Sequence, residues 1–518
     1  MKVLLTTEGT YPFHWGGLST WCHALMQELP DVDFSLLAVC EDPYATPRFE
    51  RPENLVSFRA LPLWGIRSSW EIDRRSASEV RRRRRRTTEA AVAQAFLPAY
   101  LRFVGQLLGD ERDDAGLASA LHEIYRFTLE YDFDTAFRSE TVWSAFTALV
   151  SRRFPGIARD LGYSAQWLTL GELSAGAQWI YHWLFPLSQP IEEVDIAHAT
   201  MGGVCSMVGV VCKLEHGAGF LLSEHGIYLR ECYLAEAGSD GSLFAKVLKL
   251  AFARRITELA YSQADAIAPC CDYNHRWERQ IGVEAERIHT AYYGIDSEAF
   301  QPSELMSDDA PVVVWAGRID PLKDVETLLR AAAVVTDARP DVRFLLYGAA
   351  PPGNERYHAL CMELYDELGL ADNVSFEGFS SNVLEAYARA NLVVLSSISE
   401  GFPFSTLEAM LCGRAVVATA VGGVAEQITA DCGRVVRPRD PDALGGAILD
   451  VLGDMDVCQA LSSAARERAA SLFGIERFRA THRAIYDVVL GSRQAHAEAE
   501  LAEPEIPEAP LEMELANA

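Results

Sequence analysis

No stretch of this sequence is apolar over the length a membrane-spanning helix requires. The longest weakly polar run, residues 199–212, falls short of about 20 residues. The N-terminal run Val3-Leu4-Leu5 is broken by Thr6, Thr7 and Glu8, too soon for the core of a signal peptide. Among eleven cysteines there is no Cys-x-x-Cys pair, and the one close couple is Cys270-Cys271. That scatter suits reduced, buried thiols and argues against a disulfide framework or a zinc site. Basic residues are scarce: 46 Lys and Arg stand against 73 Asp and Glu, a formal net charge of −27. A polyanion would be repelled by most of such a surface, so no nucleic-acid partner is expected. Part of the acidity is a tail, with seven glutamates and no basic residue between Glu498 and Glu514. These absences together lead to the expectation of a cytoplasmic protein.

The chain is otherwise ordinary in composition, 49% hydrophobic and 23% charged. Its 518 residues exceed what one core supports, so two domains with appendages are expected. Period and punctuation give strands over 2–7 and 34–40 with a helix between them carrying Leu18, Trp21, Leu25 and Leu29. From about 65 to 190 the pattern becomes long, aromatic-rich amphipathic helices, read as an insertion. Strands resume at 194–198, 219–223 and 266–269, the last after a helix over 243–260. The polar stretch 303–309 marks a boundary. A second series follows, with strands at 312–316, 342–347, 374–377, 392–396 and 415–418 and helices between them. A helical region over about 441–490 ends it. Alternating strands and helices in two runs predict an α/β protein with two doubly wound parallel sheets. Ligands of such sheets sit beyond the carboxyl ends of the strands, here in a cleft between domains.

Several motifs fall at those ends. Gly317 and Arg318 follow the strand 312–316 directly, and Lys323 lies five residues beyond Arg318. Two cations there would stabilise a diphosphate as its bond to a sugar breaks, or would be two solvated charges on a surface loop. Glu400-Gly401-Phe402-Pro403-Phe404-Ser405 follows the strand 392–396 and opens a helix at Ser405 or Thr406. A helix start suits phosphate, and Glu400 would accept from sugar hydroxyls. Glu408, three residues after Ser405, is open to two readings: a ligand, or the partner in a Ser-x-x-Glu capping box. Pro403 removes one backbone donor from this loop. Gly16-Gly17 precedes the first helix but forms neither Gly-x-Gly-x-x-Gly nor a P-loop, so it reads equally as a tight turn. His225 in Ser223-Glu224-His225-Gly226-Ile227-Tyr228 stands where a strand meets the cleft. His198 has the same placement; such histidines either reach a ligand or only cap backbone groups, and Glu224 could serve as an acid or base but has no sequence partner. Phe379, in the turn Gly378-Phe379-Ser380, is a candidate base pocket. The run Arg81–Arg86 is a solvated helix face or a patch for anionic lipid headgroups or an acidic partner.

Taken together, Gly317-Arg318 with Lys323, Glu400 with Glu408, and Gly16-Gly17 near the start resemble the retaining glycosyltransferases of family 4. More narrowly, Gly16-Gly17-Leu18-Ser19-Thr20-Trp21, the 223–228 stretch and the helical insertion look like the Pel exopolysaccharide (PelF-like) subfamily. The resemblance covers nearly the whole chain except the tail. The composition of 494–518 predicts a disordered tail, and the resemblance implies a GT-B fold: an acceptor-side domain over 1–300, a donor-nucleotide domain over 301–475, and a helix over 476–493 crossing back. It implies that Arg318 and Lys323 bind the donor diphosphate and that Glu408 binds the ribose. Glu400 with the backbone of 401–405 would hold the sugar, beside His225. Gly16-Gly17 would close over the phosphates, leaving His225, Glu400, Arg318 and Lys323 as the catalytic set. No metal and no cofactor are implied. The partners implied are a nucleotide-sugar donor (UDP favoured), a saccharide acceptor, and membrane-embedded machinery for polysaccharide synthesis or export, with docking at the inner membrane face. Pro403 departs from the glycine of many members. Two rival readings keep the fold, a nucleotide-sugar 2-epimerase and a catalytically silent nucleotide-sugar-binding subunit.

Overall fold

The structure, a computed structural model, describes residues 1–66, 68–109, 112–164, 167–302, 310–380 and 382–502, with side chains as far as residue 494. The first sheet is built from β1 (Lys2–Glu8), β2 (Asp33–Cys40), β3 (Leu55–Pro62), β4 (Ile196–Ala199), β5 (Gly219–Glu224) and β6 (Ala266–Pro269), in the order β3-β2-β1-β4-β5-β6. Every pairing is parallel. β4, β5 and β6 are buried along their whole length, which is why they read as continuous apolar runs rather than as alternation. The second sheet has β7 (Val312–Ala316), β8 (Arg343–Tyr347), β9 (Val374–Gly378), β10 (Leu392–Leu395), β11 (Ala415–Thr419) and β12 (Gly433–Val436), in the order β12-β11-β10-β7-β8-β9, again parallel. Strand order reverses between β1 and β4 in one sheet and between β7 and β10 in the other. Such reversals open a crevice beyond the carboxyl ends.

Two strands escaped the sequence reading, and both are edges. β3 carries Ser57 and Arg59 on a half-exposed face, and β12 is four residues long and begins at Gly433. Neither presents the apolar run that a central strand must. The weakly polar stretch near residue 200 is the helix Val204–His216, buried from Val204 to Cys212 and ended by Gly217 in the left-handed region at φ 61°. Among the described residues no helix is long and apolar enough to cross a membrane.

The region between β3 and β4 is helical, from Ala77–Arg86 to Leu170–Leu184, around buried Phe96, Tyr100, Phe103 and Phe146. The arginine run forms the helix Ala77–Arg86, capped by Ser76. It is not uniformly solvated: Arg83 is buried and donates to the Tyr131 carbonyl at 2.6 Å. Arg81, Arg82, Arg84, Arg85 and Arg86 are exposed. The chain crosses between sheets near Ile295, whose N–H donates to the Phe473 carbonyl at 3.0 Å. It returns through Phe473 into the helix Ile475–Ala502, which lies on the first sheet through buried Phe478, Ile485, Tyr486 and Val489. This helix runs on past residue 493 into the segment read from sequence as tail. Residues 303–309, read as a boundary, and the remaining tail, 503–518, lie outside the described residues.

Candidate active site

At the end of β7 the chain turns sharply through Gly317. A side chain on Gly348 would overlap the Gly317 carbonyl, so the two backbones touch. Asp320 then organises the loop. Its Oδ1 accepts the N–H groups of Leu322 and Lys323 at 3.0 and 3.2 Å, and its Oδ2 takes Arg318 Nε at 3.0 Å. The Arg318 side chain is 64% exposed, so its guanidinium keeps most of its surface for a ligand. Lys323 reaches the loop after β10. Its Nζ lies 2.5 Å from Glu400 Oε1, and Ser397 Oγ donates to the same oxygen at 2.5 Å. Ser396 Oγ donates to the Lys323 carbonyl at 2.8 Å. The two motifs read separately from sequence are thus one hydrogen-bonded unit astride the β7/β10 reversal.

The helix after this loop is Phe404–Leu411, with Pro403 as its N-cap. It begins one or two residues before the expected start at Ser405 or Thr406. Ser405 therefore falls inside the first turn, no side chain caps the helix, and the Ser-x-x-Glu capping box does not form. Glu408 turns to Tyr387 instead, accepting from its hydroxyl at 2.9 Å. Burial pushes the Glu408 carboxyl up to about 6, opposed by the Tyr387 hydrogen bond. The Pro403 carbonyl accepts from Thr406 Oγ1 and Gln427 Nε2, at 2.8 and 3.0 Å. Proline here fixes the entry to the helix, whose first-turn N–H groups have no intrahelical partners, as at any helix start.

The first sheet faces this unit closely. A side chain on Gly401 would overlap the His225 carbonyl oxygen, so the loops after β5 and β10 meet backbone to backbone. A side chain on Gly17 would meet the Phe404 ring at 3.3 Å, whereas Gly16 has open space around it. His225 Nδ1 pairs with Tyr293 Oη at 3.0 Å, and Tyr293 stacks on Phe404 at 4.6 Å between centroids. The Trp21 ring lies edge-on to His225 at 4.3 Å. Burial lowers His225 to about 3, reinforced by nearby His482. The imidazole is neutral throughout the physiological range and cannot act as an acid there. Two further candidates are not brought to the cleft. His198 is fully buried between Tyr486 Oη and Ser223 Oγ, at 2.9 and 2.8 Å, and Glu224 is fully buried. Phe379, 68% exposed, stands beyond the edge strand β9, two strands from β7.

Residues 1–286 match the family described as Domain of unknown function (DUF3492), and residues 296–468 match the family described as Glycosyl transferases group 1. A D-inositol 3-phosphate glycosyltransferase of Thermobispora bispora is 32% identical over 318 residues, 54% of this chain and 74% of that protein. The chain belongs to the group 1 glycosyltransferases. Its architecture is GT-B. Sucrose-phosphate synthase from Thermosynechococcus elongatus superimposes with a TM-score of 0.57 at 19% identity, over 97% of this chain and 99% of that one. Anabaena Alr3699/HepE in complex with UDP also gives 0.57, at 16% identity, over 96% of this chain and 100% of that one.

The glycosyltransferase also places residues in the cleft that sequence reasoning missed. Arg230 Nη1 donates to Ser399 Oγ across the domains at 2.5 Å, and its only cue was its place two residues past the 223–228 stretch. Glu426 accepts the N–H groups of Asp272 and Tyr273 at 2.9 and 2.8 Å and the Tyr292 hydroxyl at 3.0 Å. Glu8 ends β1 at the strand reversal, accepts the Cys205 N–H at 3.1 Å, and is raised by burial to about 7. Nothing in local sequence distinguishes such carboxylates from solvated ones.

Proposed function

We propose that the enzyme transfers a sugar from a UDP-sugar to a saccharide acceptor with retention of anomeric configuration and without a metal, in exopolysaccharide assembly. The observation that carries this reading is the Lys323–Glu400–Ser397 unit with exposed Arg318 beside it, held against the His225 carbonyl through Gly401. The UDP complexes of the structurally similar Alr3699/HepE favour UDP as the donor nucleotide. Arg318 and Lys323 neutralise the diphosphate, and Glu400 exchanges its lysine partner for sugar hydroxyls. Glu408, oriented by Tyr387, meets the ribose, and neutral His225 hydrogen-bonds the sugar. The C1–O bond to the β-phosphate breaks while a C1–O bond to the acceptor oxygen forms on the same face. The acceptor proton passes to the departing phosphate, giving UDP and the glycoside. Arg318 and Lys323 act where charge grows, so they lower the barrier more than they tighten ground-state binding.

The test is nucleoside diphosphate release from UDP-, GDP- and ADP-sugars with saccharide acceptors. Lys323→Ala should lower turnover about 10²–10³-fold, the scale of losing one preorganised donor. Equal release by variant and wild type would refute the assignment. An epimerised nucleotide-sugar, or no release with any donor, would favour the 2-epimerase or the silent-subunit reading instead. Membrane association through the exposed arginines of Ala77–Arg86 belongs to the same proposal. It fails if neutralising Arg81 and Arg85 leaves co-sedimentation with anionic vesicles unchanged.

A further inference from the structure

The helical insertion contains a cavity of about 270 Å³ in which the cleft has no share. Its walls include the half-buried rings of Phe137, Trp143 and Tyr181. Arg138 and Gln178, both exposed, stand among its lining residues, and His182, 6% exposed, is the buried polar one. The Tyr181 hydroxyl is already committed, donating to Asp134 Oδ1 at 2.6 Å, so the ring face is what it offers. The His182 ring packs against Trp64 with centroids 3.9 Å apart, and its Nδ1 is buried with no hydrogen-bond partner. Burial lowers this histidine to about 4, so the imidazole is neutral at physiological pH.

These features constrain an occupant. The volume lies near the lower end of ligand pockets, about 300–1,000 Å³, which is room for one ring and not for a chain. Aromatic walls match a flat face of C–H groups. Gln178 offers an amide donor and an acceptor together, the pairing that hydroxyl groups reciprocate. Asp134, behind Tyr181, and Arg138, in the lining, set charges of opposite sign near the wall, so neither an anion nor a cation is favoured. A ring with apolar faces and an edge of hydroxyls meets all four conditions.

We propose that this pocket binds one pyranose ring of a neutral saccharide, at a site separate from the interdomain cleft. The site would hold a saccharide to the enzyme without taking part in transfer. Saturation-transfer NMR on the full chain, with UDP kept saturating, tests it against glucose, N-acetylglucosamine, maltose and cellobiose, with uracil and indole as non-saccharide controls. At least one should receive saturation at millimolar concentration, and binding should weaken about tenfold in Trp143→Ala and in Gln178→Ala. Gln178 is exposed, so that variant carries the test if Trp143→Ala fails to fold. No transfer to any of the four sugars overturns the proposal, as does transfer that survives both substitutions, or transfer to uracil or indole alone. UDP release measured on the same variants separates a failure here from a failure of the glycosyltransferase reading.

Discussion

Glu278, on the helix His275–Ile281, is fully buried, and neither carboxyl oxygen has a hydrogen-bond partner in the structure. Burial pushes it up to about 8, with Arg279 opposing, and Glu224 nearby is pushed well up too. Between the ordinary glutamate value of 4.5 and about 8, the folded protein therefore holds a proton that the unfolded chain gives up. Its stabilising effect is complete below 4.5 and is lost as pH rises through the folded value, by about 1.4 kcal/mol per pH unit inside that window. Glu278→Gln removes the titration. Its urea midpoint should therefore gain on wild type steadily from about pH 5 to about pH 8. Parallel pH profiles for the two proteins would show that Glu278 is not the group responsible. Residues of this kind were illegible in sequence, because burial decides their chemistry. Lys323 and Glu400 were legible one at a time. Their pairing across 77 positions follows from β7 lying beside β10, a fact of strand order that no local spacing carries.

Among elements, the helix Ile475–Ala502 does the most to tie the site together. Phe478, His482, Tyr486 and Val489 recur at helical spacing and are all buried. Trp21 lies at their centre, 6.4 Å from Phe478, 5.5 Å from His482, 5.7 Å from His198 and 4.3 Å from His225. A side chain on Gly294 would overlap Phe478, so the crossing segment is pressed against the same helix. Phe478→Ala should cost about 3–5 kcal/mol by opening a cavity there. Hydrogen exchange should then show lost protection in this helix and in β4 and β5. Because Trp21 holds His225 from behind, donor turnover should fall in the same variant. Unchanged protection in β4 and β5 would mean that the helix is not docked as described. Elements were the most legible scale. Central strands and long amphipathic helices announce themselves through apolar runs and periodicity. β3 and β12 did not, since an edge strand is half exposed and needs no such run.

At the scale of the whole molecule, a group of contacts between the two domains lies at the site. Glu426 brings a carboxylate from the second domain to two backbone N–H groups and a hydroxyl of the first. Hydrogen bonds to a charged group contribute about 1.5–3 kcal/mol each, enough to bias an open–closed equilibrium. Arg230 with Ser399 and Tyr293 against Phe404 add to the closed arrangement. Gly401 permits it, since any side chain there meets the His225 carbonyl, which is backbone and cannot swing aside. Gly401→Ala and Glu426→Ala should therefore act in the same direction by different means, one by obstruction and one by loss of attraction. Both should enlarge the radius of gyration seen by small-angle scattering and lower donor turnover. Saturating donor should restore the compact profile in Glu426→Ala, because ligand contacts replace the lost ones. It should fail to do so in Gly401→Ala, where the overlap persists. Scattering profiles superimposable on wild type for both variants would show that these contacts do not set domain closure.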